Sequence, residues 1–378
     1  MMLVSIREHL IEYPCKGIIM KRHGDLYNDI SSLFNLHRAH NNARKGKTHY
    51  TEVRNVDKNK HTLLEKLHED LVNQTFTTSK YKLKQIYEPK ERTIYILPYY
   101  PDRIVQHAAM NLLQPIWDKT FIPDLYSAIP EKGIHKAIDR LRSFLKDADN
   151  TKYCLQFDIK SYYPSMNHET LMILIERKIK CRKTLWLLKN VIDSLDGETN
   201  IPIGNYLSQY FGNIYLSDFD HWLKEKHKIR YYLRYNDDGV ILGNNKNELW
   251  NLLNEIQNYI ETRLQLKLNP KTRIYPIDDV GIDFLGYKTH RTHTVLRKKT
   301  VNKFKHKIKE IKTHSNKMGN QHIVSSVMSY VGWMQHGNCY NLLNKHVLQD
   351  KQLGEIMNQC SLELGHENPL NRKYGEKT

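Results

Sequence analysis

The chain has 378 residues, 40% of them hydrophobic, enough to bury a sizeable core and to build two or three structural regions. Its 58 Lys and Arg against 41 Asp and Glu give a formal net charge of +17, and 24 tyrosines accompany that excess, a balance suited to phosphate neutralisation and base stacking. The five cysteines form no C-x-x-C pair and no apolar run reaches membrane-spanning length, which argues against a zinc ribbon, a disulfide scaffold or a membrane protein and points to a soluble protein of a reducing cytoplasm.

Residues 1–19 read as a weak amphipathic lead-in. Arg7, Glu8, Glu12 and Lys16 interrupt its apolar run, so no signal peptide is expected, and Met1 and Met20 both stay open as the start. Residues 35–61 are strongly basic and run into HTLLEKLHEDLV, read either as a solvated helical surface or as an RNA-backbone contact. Residues 80–100 predict two strands joined by a Glu-Pro-Lys-Glu turn. Asp102 to Trp117 predicts an amphipathic helix with Ile104, Ala108, Leu112 and Ile116 near one face, and residues 134–146 predict another helix.

From 153 to 158, YCLQFD is a buried-strand pattern ending in an acid. Residues 168–195 are helical in pattern, IPIG breaks the run, and a second helix is expected from about 206 to 226. Residues 231–243, YYLRYNDDGVILG, predict a β-hairpin whose Asn-Asp-Asp-Gly favours a tight turn at Asp237 and Asp238. Adjacent carboxylates repel and tend to be held together where cations neutralise them, and magnesium suits such oxygen ligands. The same residues are also ordinary solvated turn residues.

A helix near 246–263 follows, then short strands in LQLKLNPKTRIYPI and IDFLGYKTH. Strand–helix–hairpin–helix–strand is the order of a split βαβ, ferredoxin-like sheet. Between Arg297 and Lys317 the pattern is helical, with nine Lys or Arg and one acid, Glu310. A second helical region spans 321–347, and the final thirty or so residues are polar and expected to be loosely ordered. The ferredoxin-like order would place Asp158 beside the hairpin, where three acids could bind two cations roughly 4 Å apart. A lone strand-end Asp is otherwise a turn or cap residue, so the pairing carries the weight.

FDIKSYY, IPIGNYLSQYFGN, YNDD, LNPKT and IDFLGY occur in the order of the reverse-transcriptase palm motifs. Upstream, LPYYPDRIVQHAAMNLLQPIWDKTF resembles the fingers of bacterial reverse transcriptases related to group II intron enzymes, so the resemblance covers roughly residues 80–340. It implies an α+β right-hand polymerase with a ferredoxin-like palm, fingers and a helical thumb. The expected division is a basic N-terminal extension and start of fingers at 1–79, fingers at 80–152, palm at 153–290, basic helical thumb at 291–347 and polar tail at 348–378.

Carried over residue by residue, the resemblance assigns metal binding to Asp158, Ile159, Asp237 and Asp238. It gives Lys271 the protonation of departing pyrophosphate and Tyr163 the exclusion of a ribose 2′-hydroxyl, hence a DNA product. Without it, Lys271 is a solvated lysine and Tyr163 a core aromatic. Lys90 and Arg92 fall where fingers residues grip the triphosphate, or are strand-edge charges; Ile203, Gly204 and Gln209 fall by the nascent base pair. Phe284, Leu285 and Gly286 match the primer grip, although Gly286 could serve only the turn. Arg297, Lys298, Lys299 and Lys303 are the candidate cradle for a nucleic-acid duplex or a structured RNA.

Two departures matter. Intron-type enzymes carry Gln-Gly where this chain has Ile203-Gly204, and the form IGN-x-x-SQ is similar to reverse transcriptases of diversity-generating retroelements, a group associated with error-prone copying. Ile203 cannot make the hydrogen bonds of a Gln, so looser checking and a mere packing change both remain open. Asn236 replaces the commoner apolar residue, either bonding near the primer end or favouring the turn.

The function implied is RNA-directed DNA synthesis with two Mg²⁺ ions (Mn²⁺ as an alternative) and dNTPs. The implied partners are a structured noncoding RNA template, a DNA or RNA primer and, as an option, an accessory protein, in a bacterial cytoplasm without membrane association. A diversity-generating retroelement and an anti-phage defence system are the competing settings. The rival class is an RNA-binding, maturase-like protein with a non-catalytic polymerase scaffold.

Overall fold

The computed structural model describes residues 21–87 and 91–364, so the lead-in, Met20 and Lys90 lie outside the described residues. The chain forms two compact units. The first runs to Gly133 and adds Leu155–Ile241 and Asn245–Ile274; the second takes Ile134–Cys154, Leu242–Asn244 and the chain from Tyr275 onward.

In the first unit, Ser32 caps the helix Leu33–Ala43 by accepting from the Asn35 N–H. That helix buries Leu36, Ala39 and Ala43 and packs on the helix Ile104–Asp118, which offers the small Ala108 and Ala109. An amide ladder satisfies the polar groups between them: Asn42 donates to Asn111 Oδ1 (3.0 Å), Asn111 to Asn35 Oδ1 (2.9 Å) and Asn35 to the Ala108 carbonyl (3.0 Å). The apolar stripe of Ile104–Asp118 differs from the expected one. Val105, Leu113 and Trp117 join Ile104 and Ala108 in the core, while Leu112 and Ile116 stay partly exposed. The helix Tyr206–Tyr215 also packs on this helix, so its buried face is wider than one seam.

Strands β1 (Lys82–Ile86) and β2 (Arg92–Ile96) pair antiparallel with Lys82 opposite Ile96. The main sheet comprises β3 (Tyr153–Phe157), β4 (Tyr232–Tyr235), β5 (Asp238–Gly243) and β6 (Arg273–Pro276) in the order β4-β5-β3-β6. With helices between β3 and β4 and the helix Lys246–Leu264 between β5 and β6, this is the ferredoxin-like arrangement. Asn245 caps that last helix through the Asn247 and Glu248 N–H groups, and Leu249, Leu253, Ile256, Ile260 and Leu264 line its buried stripe. The helix expected to run from 206 to 226 is instead three segments, Tyr206–Tyr215, Ser217–His221 and Trp222–Lys226. In LQLKLNPKTRIYPI only Arg273–Pro276 is a strand, preceded by a single bridge between Leu268 and Ile159.

In the second unit, β7 (Ile282–Phe284), β8 (Tyr287–Thr289) and β9 (Thr294–Leu296) form an antiparallel meander. The basic helix Lys298–His314 turns Phe304, Ile308 and Ile311 inward. The helix Asn320–Met334 buries Ile323, Val327, Val331 and Met334. The tail expected to be loosely ordered from 348 is corrected at 351–364, a helix with Leu353 and Met357 buried. Leu353 and Met357, four residues apart, give this stretch an apolar face to bury.

Candidate active site

Three acids meet at the tips of adjacent strands. Asp158 follows the last residue of β3, Asp237 lies at the hairpin tip, and Asp238 opens β5. The turn is tighter than the sequence pattern implied. Tyr235 pairs with Asp238, so Asn236 and Asp237 alone form the tip, and Gly239 belongs to the strand. That glycine serves the sheet: a Cβ on it would lie 2.1 Å from Phe157 Cζ, so the ring preceding Asp158 rests on the backbone following Asp238.

Asp237 shows the electrostatic consequence. Burial first, then the charges of Asp158 and Asp238, push its carboxyl up to about 7, and a side-chain hydrogen bond with Asp158 acts in the same direction. Asn269 holds Asp158 from the other side, its backbone N–H donating to the Asp158 carbonyl (2.7 Å) and its amide to Oδ2 (2.9 Å). Ile159 is buried and can offer an ion only its backbone carbonyl. Lys271, two residues beyond Asn269, is exposed, and its backbone N–H donates to Asn269 Oδ1 (3.1 Å).

A buried network supports the hairpin from below. Arg234 on β4 pairs with Asp220 through Nε–Oδ1 (2.7 Å) and Nη2–Oδ2 (2.5 Å), both side chains being removed from solvent. Tyr232 donates to Asp220 Oδ1 (2.6 Å), and Arg234 Nη1 donates to the Asn236 carbonyl (2.6 Å) at the tip. Ser127 Oγ accepts from the Asn236 N–H (2.8 Å) and donates to Asn213 Oδ1 (3.0 Å).

Tyr163 reaches the same tip, its hydroxyl donating to Asn236 Oδ1 (3.0 Å). Burial, then the Asp237 charge, holds its phenol well above the ordinary range, and the Arg92 charge opposes that shift. Arg92 itself is exposed at the start of β2. Ile203 approaches β2 through its backbone, its carbonyl accepting from the Tyr95 N–H (2.9 Å). Gly204, at φ +117°, packs where a Cβ would lie 3.0 Å from both Ile94 Cγ2 and the Tyr95 carbonyl. The Gln106 side chain caps the helix that follows, accepting from the Tyr206 and Leu207 N–H groups at 3.0 and 3.4 Å. On that helix Gln209 is exposed, whereas Ser208 is buried and donates to the Pro202 carbonyl (2.7 Å).

The second unit holds the other predicted residues. Leu285 and Gly286 form the two-residue β7–β8 turn, both with positive φ, between paired Phe284 and Tyr287. Phe284 is core, and a Cβ on Gly286 would lie 2.7 Å from the Trp333 ring, so this glycine meets both a turn and a packing demand. Arg297 is ion-paired with Asp283, so its charge is partly committed within the unit. Lys298 and Lys299 are exposed and Lys303 is partly exposed on the helix Lys298–His314.

A model of the reverse transcriptase (RNA-dependent DNA polymerase) family matches residues 82–289, more than half of the chain. The chain belongs to this family. As a reverse-transcriptase family member it has the right-hand polymerase fold class, with its acids on the ferredoxin-like sheet. It is 28% identical over 238 residues to Protein YkfC of Escherichia coli K12, covering 52% of this chain and 62% of that protein. It is 26% identical over 132 residues to the group II intron-encoded protein LtrA of Lactococcus lactis subsp. cremoris, covering 33% of this chain and 22% of that protein. The chain therefore spans less than two thirds of the length of either relative. An apo telomerase structure from Candida tropicalis is similar with a TM-score of 0.43 and 13% identity, over 64% of this chain and 54% of that one.

The donor set of this candidate site fits a hard divalent cation, since carboxylate and carbonyl oxygens are what Mg²⁺ and Mn²⁺ prefer. Among the described residues no group of three or more His, Cys, Asp or Glu side chains is arranged to hold a metal ion. An open set of acids suits a cation that keeps water and substrate phosphate among its ligands. No helix among the described residues is long and apolar enough to cross a membrane. Sequence reading missed Asn269, Asp220, Arg234, Asn213 and Ser127. Asn269, inside LNPKT, and Asn213, at the end of IPIGNYLSQYFGN, carried a signal, whereas the other three are ordinary polar residues until the chain folds.

Proposed function

We propose that this protein is an RNA-directed DNA polymerase that copies a structured noncoding RNA into cDNA from a DNA or RNA primer, in a diversity-generating retroelement or an anti-phage defence system. The observation that carries the reading is the placement of Asp158, Asp237 and Asp238 at neighbouring strand ends of a ferredoxin-like sheet in a chain of the reverse transcriptase family. Asp158, Asp237, Asp238 and the Ile159 carbonyl would hold two Mg²⁺ ions, for which Mn²⁺ could substitute. Bound there, the ions would supply activation of a primer 3′-hydroxyl and stabilisation of leaving pyrophosphate.

The remaining roles are those that the resemblance of the motifs assigns. Tyr163 would exclude a 2′-hydroxyl, Arg92 and Lys90 would meet the triphosphate, and Ile203, Gly204 and Gln209 would border the nascent base pair. Lys271, exposed beside the loop that holds Asp158, would protonate pyrophosphate. Phe284 to Gly286 would grip the primer strand, and Lys298, Lys299 and Lys303, with Arg297, would contact nucleic-acid phosphates. In this reading residues 80–152 serve as fingers, 153–290 as palm and 291–347 as thumb.

The test is primer extension on an RNA template with purified protein, dNTPs and Mg²⁺. DNA synthesis is expected from the wild type and none from Asp237→Asn combined with Asp238→Asn. Full synthesis by the double variant would overturn the assignment of the acids.

A further inference from the structure

Asn236 is bonded on every side. Its φ of +56° lies in the left-handed region that Asn tolerates better than most residues. Its N–H donates to Ser127 Oγ (2.8 Å) and its carbonyl accepts from Arg234 (2.6 Å), so the backbone is clamped. Its side chain then spans two functional candidates, accepting from the Tyr163 hydroxyl (3.0 Å) and donating to Asp237 Oδ1 (2.8 Å). The amide divides its two functions between these partners, its NH₂ donating to Asp237 and its oxygen accepting from the phenol.

A glycine keeps the space for this bridge. Gly212 lies inside the helix Tyr206–Tyr215, where glycine is a poor helix former. A Cβ on it would lie 3.0 Å from the Tyr163 hydroxyl and 3.3 Å from Asn236 Oδ1. The Gly212 carbonyl accepts from the Tyr162 hydroxyl (2.5 Å), which anchors the neighbouring ring. The helix, the segment after β3 and the hairpin tip thus converge on one amide.

We propose that Asn236 is a positioning residue that ties the sugar-facing Tyr163 to the acid Asp237, so that sugar choice and placement of that acid are set together. This rests on the polymerase reading above. An apolar residue at 236 could hold neither partner, so the bridge is a property of this chain's Asn. Without it the Tyr163 ring loses its polar anchor and the Asp237 carboxylate loses a donor that fixes its rotamer.

The decisive variants are Asn236→Gly, which keeps the left-handed backbone and removes the amide, and Tyr163→Phe, which keeps the ring and removes the hydroxyl. Loss of a hydrogen bond near a charged group predicts that Asn236→Gly lowers the dGTP-over-GTP ratio of kcat/KM roughly tenfold. The KM for dGTP should rise while kcat falls, and comparison with Tyr163→Phe separates loss of the bridge from mere loosening of the turn. Tyr163→Phe should produce a smaller drop, and the double variant should fall well short of the product of the two. Equilibrium titration of the same proteins with dGTP and GTP in Mg²⁺ should show the same ranking. An unchanged sugar preference in folded Asn236→Gly, or fully multiplicative effects in the double variant, would overturn the link. A wild type that makes no DNA would instead undercut the polymerase reading, and the titration, which needs no turnover, would still decide the bridge.

Discussion

Asn269 grips Asp158 twice, through a backbone N–H to the Asp158 carbonyl at 2.7 Å and an amide to its carboxylate at 2.9 Å. The loop after the helix Lys246–Leu264 therefore fixes both the chain path and the rotamer of an acid 111 positions earlier in sequence. Removing the amide should leave the acid present but less well aimed. Asn269→Ala is expected to lower primer extension about tenfold, as a lost hydrogen bond to a charged group would. The melting temperature should change little, and higher Mg²⁺ should recover part of the loss. Wild-type rates at low Mg²⁺ would show that Asp158 needs no such support.

The Arg234–Asp220 pair is a stability element beneath the hairpin. Arg234→Ala would leave Asp220 a buried charge without its partner, at a cost of about 3–5 kcal/mol. Arg234→Lys should recover little, because an ammonium cannot reproduce the two-point contact with Asp220 and the further bond to the Asn236 carbonyl. Denaturant titration of the purified variants measures both, and a loss under 1 kcal/mol for Arg234→Ala would remove the pair from this role.

Gly239 and Phe157 share one space. Gly239→Ala would place a methyl 2.1 Å from Phe157 Cζ, an overlap that must displace the ring or the strand. Overpacking of this kind costs about 1–3 kcal/mol, and activity should fall as well because both residues adjoin acids. Adding Phe157→Leu should relieve the clash and recover part of the stability. If Gly239→Ala melted like the wild type, the close packing of β3 on β5 would be wrong.

His107 gives a pH dependence. Its ring lies 4.7 Å from that of Tyr206, and burial, then the charges of Arg103 and Lys47, hold its imidazole down to about 4 from the ordinary 6.5. The unfolded chain therefore binds a proton between those values that the folded chain refuses. Stability from this group is complete above pH 6.5 and is lost as pH falls toward 4, on the order of 2–3 kcal/mol in all. His107→Phe should flatten that part of the profile. Urea midpoints at pH 7.5 and 4.5 provide the comparison, and an equal drop in both proteins would count against the assignment.

Local pattern was enough to read the elements that carry the candidate site. The strand YCLQFD, the YNDD hairpin, the glycines of IPIG and FLG, and the alternation of strands and helices each announce themselves within a few residues, because pleat, turn and helix periods are local properties. The order of those elements already implied a ferredoxin-like sheet with Asp158 beside the hairpin. Local pattern misplaced the exposed face of the helix Ile104–Asp118 and the helix at 351–364, since which face is buried depends on what packs against it.

What only the tertiary structure decided are the partnerships. Nothing near Gln106 in sequence says that it caps a helix 100 residues on, and nothing near Gly212 says that it clears room for Tyr163 and Asn236. Asp220 with Arg234, Asn213 with Ser127 and Asn269 with Asp158 are likewise pairs whose members satisfy buried polar groups across the fold. Such pairings have no period and no spacing. They exist because a buried donor or acceptor must find a partner wherever the folded chain supplies one. The sequence alone therefore determined the family and the order of elements that bring the candidate acids together, and the packing decided how its acids and its tyrosine are held.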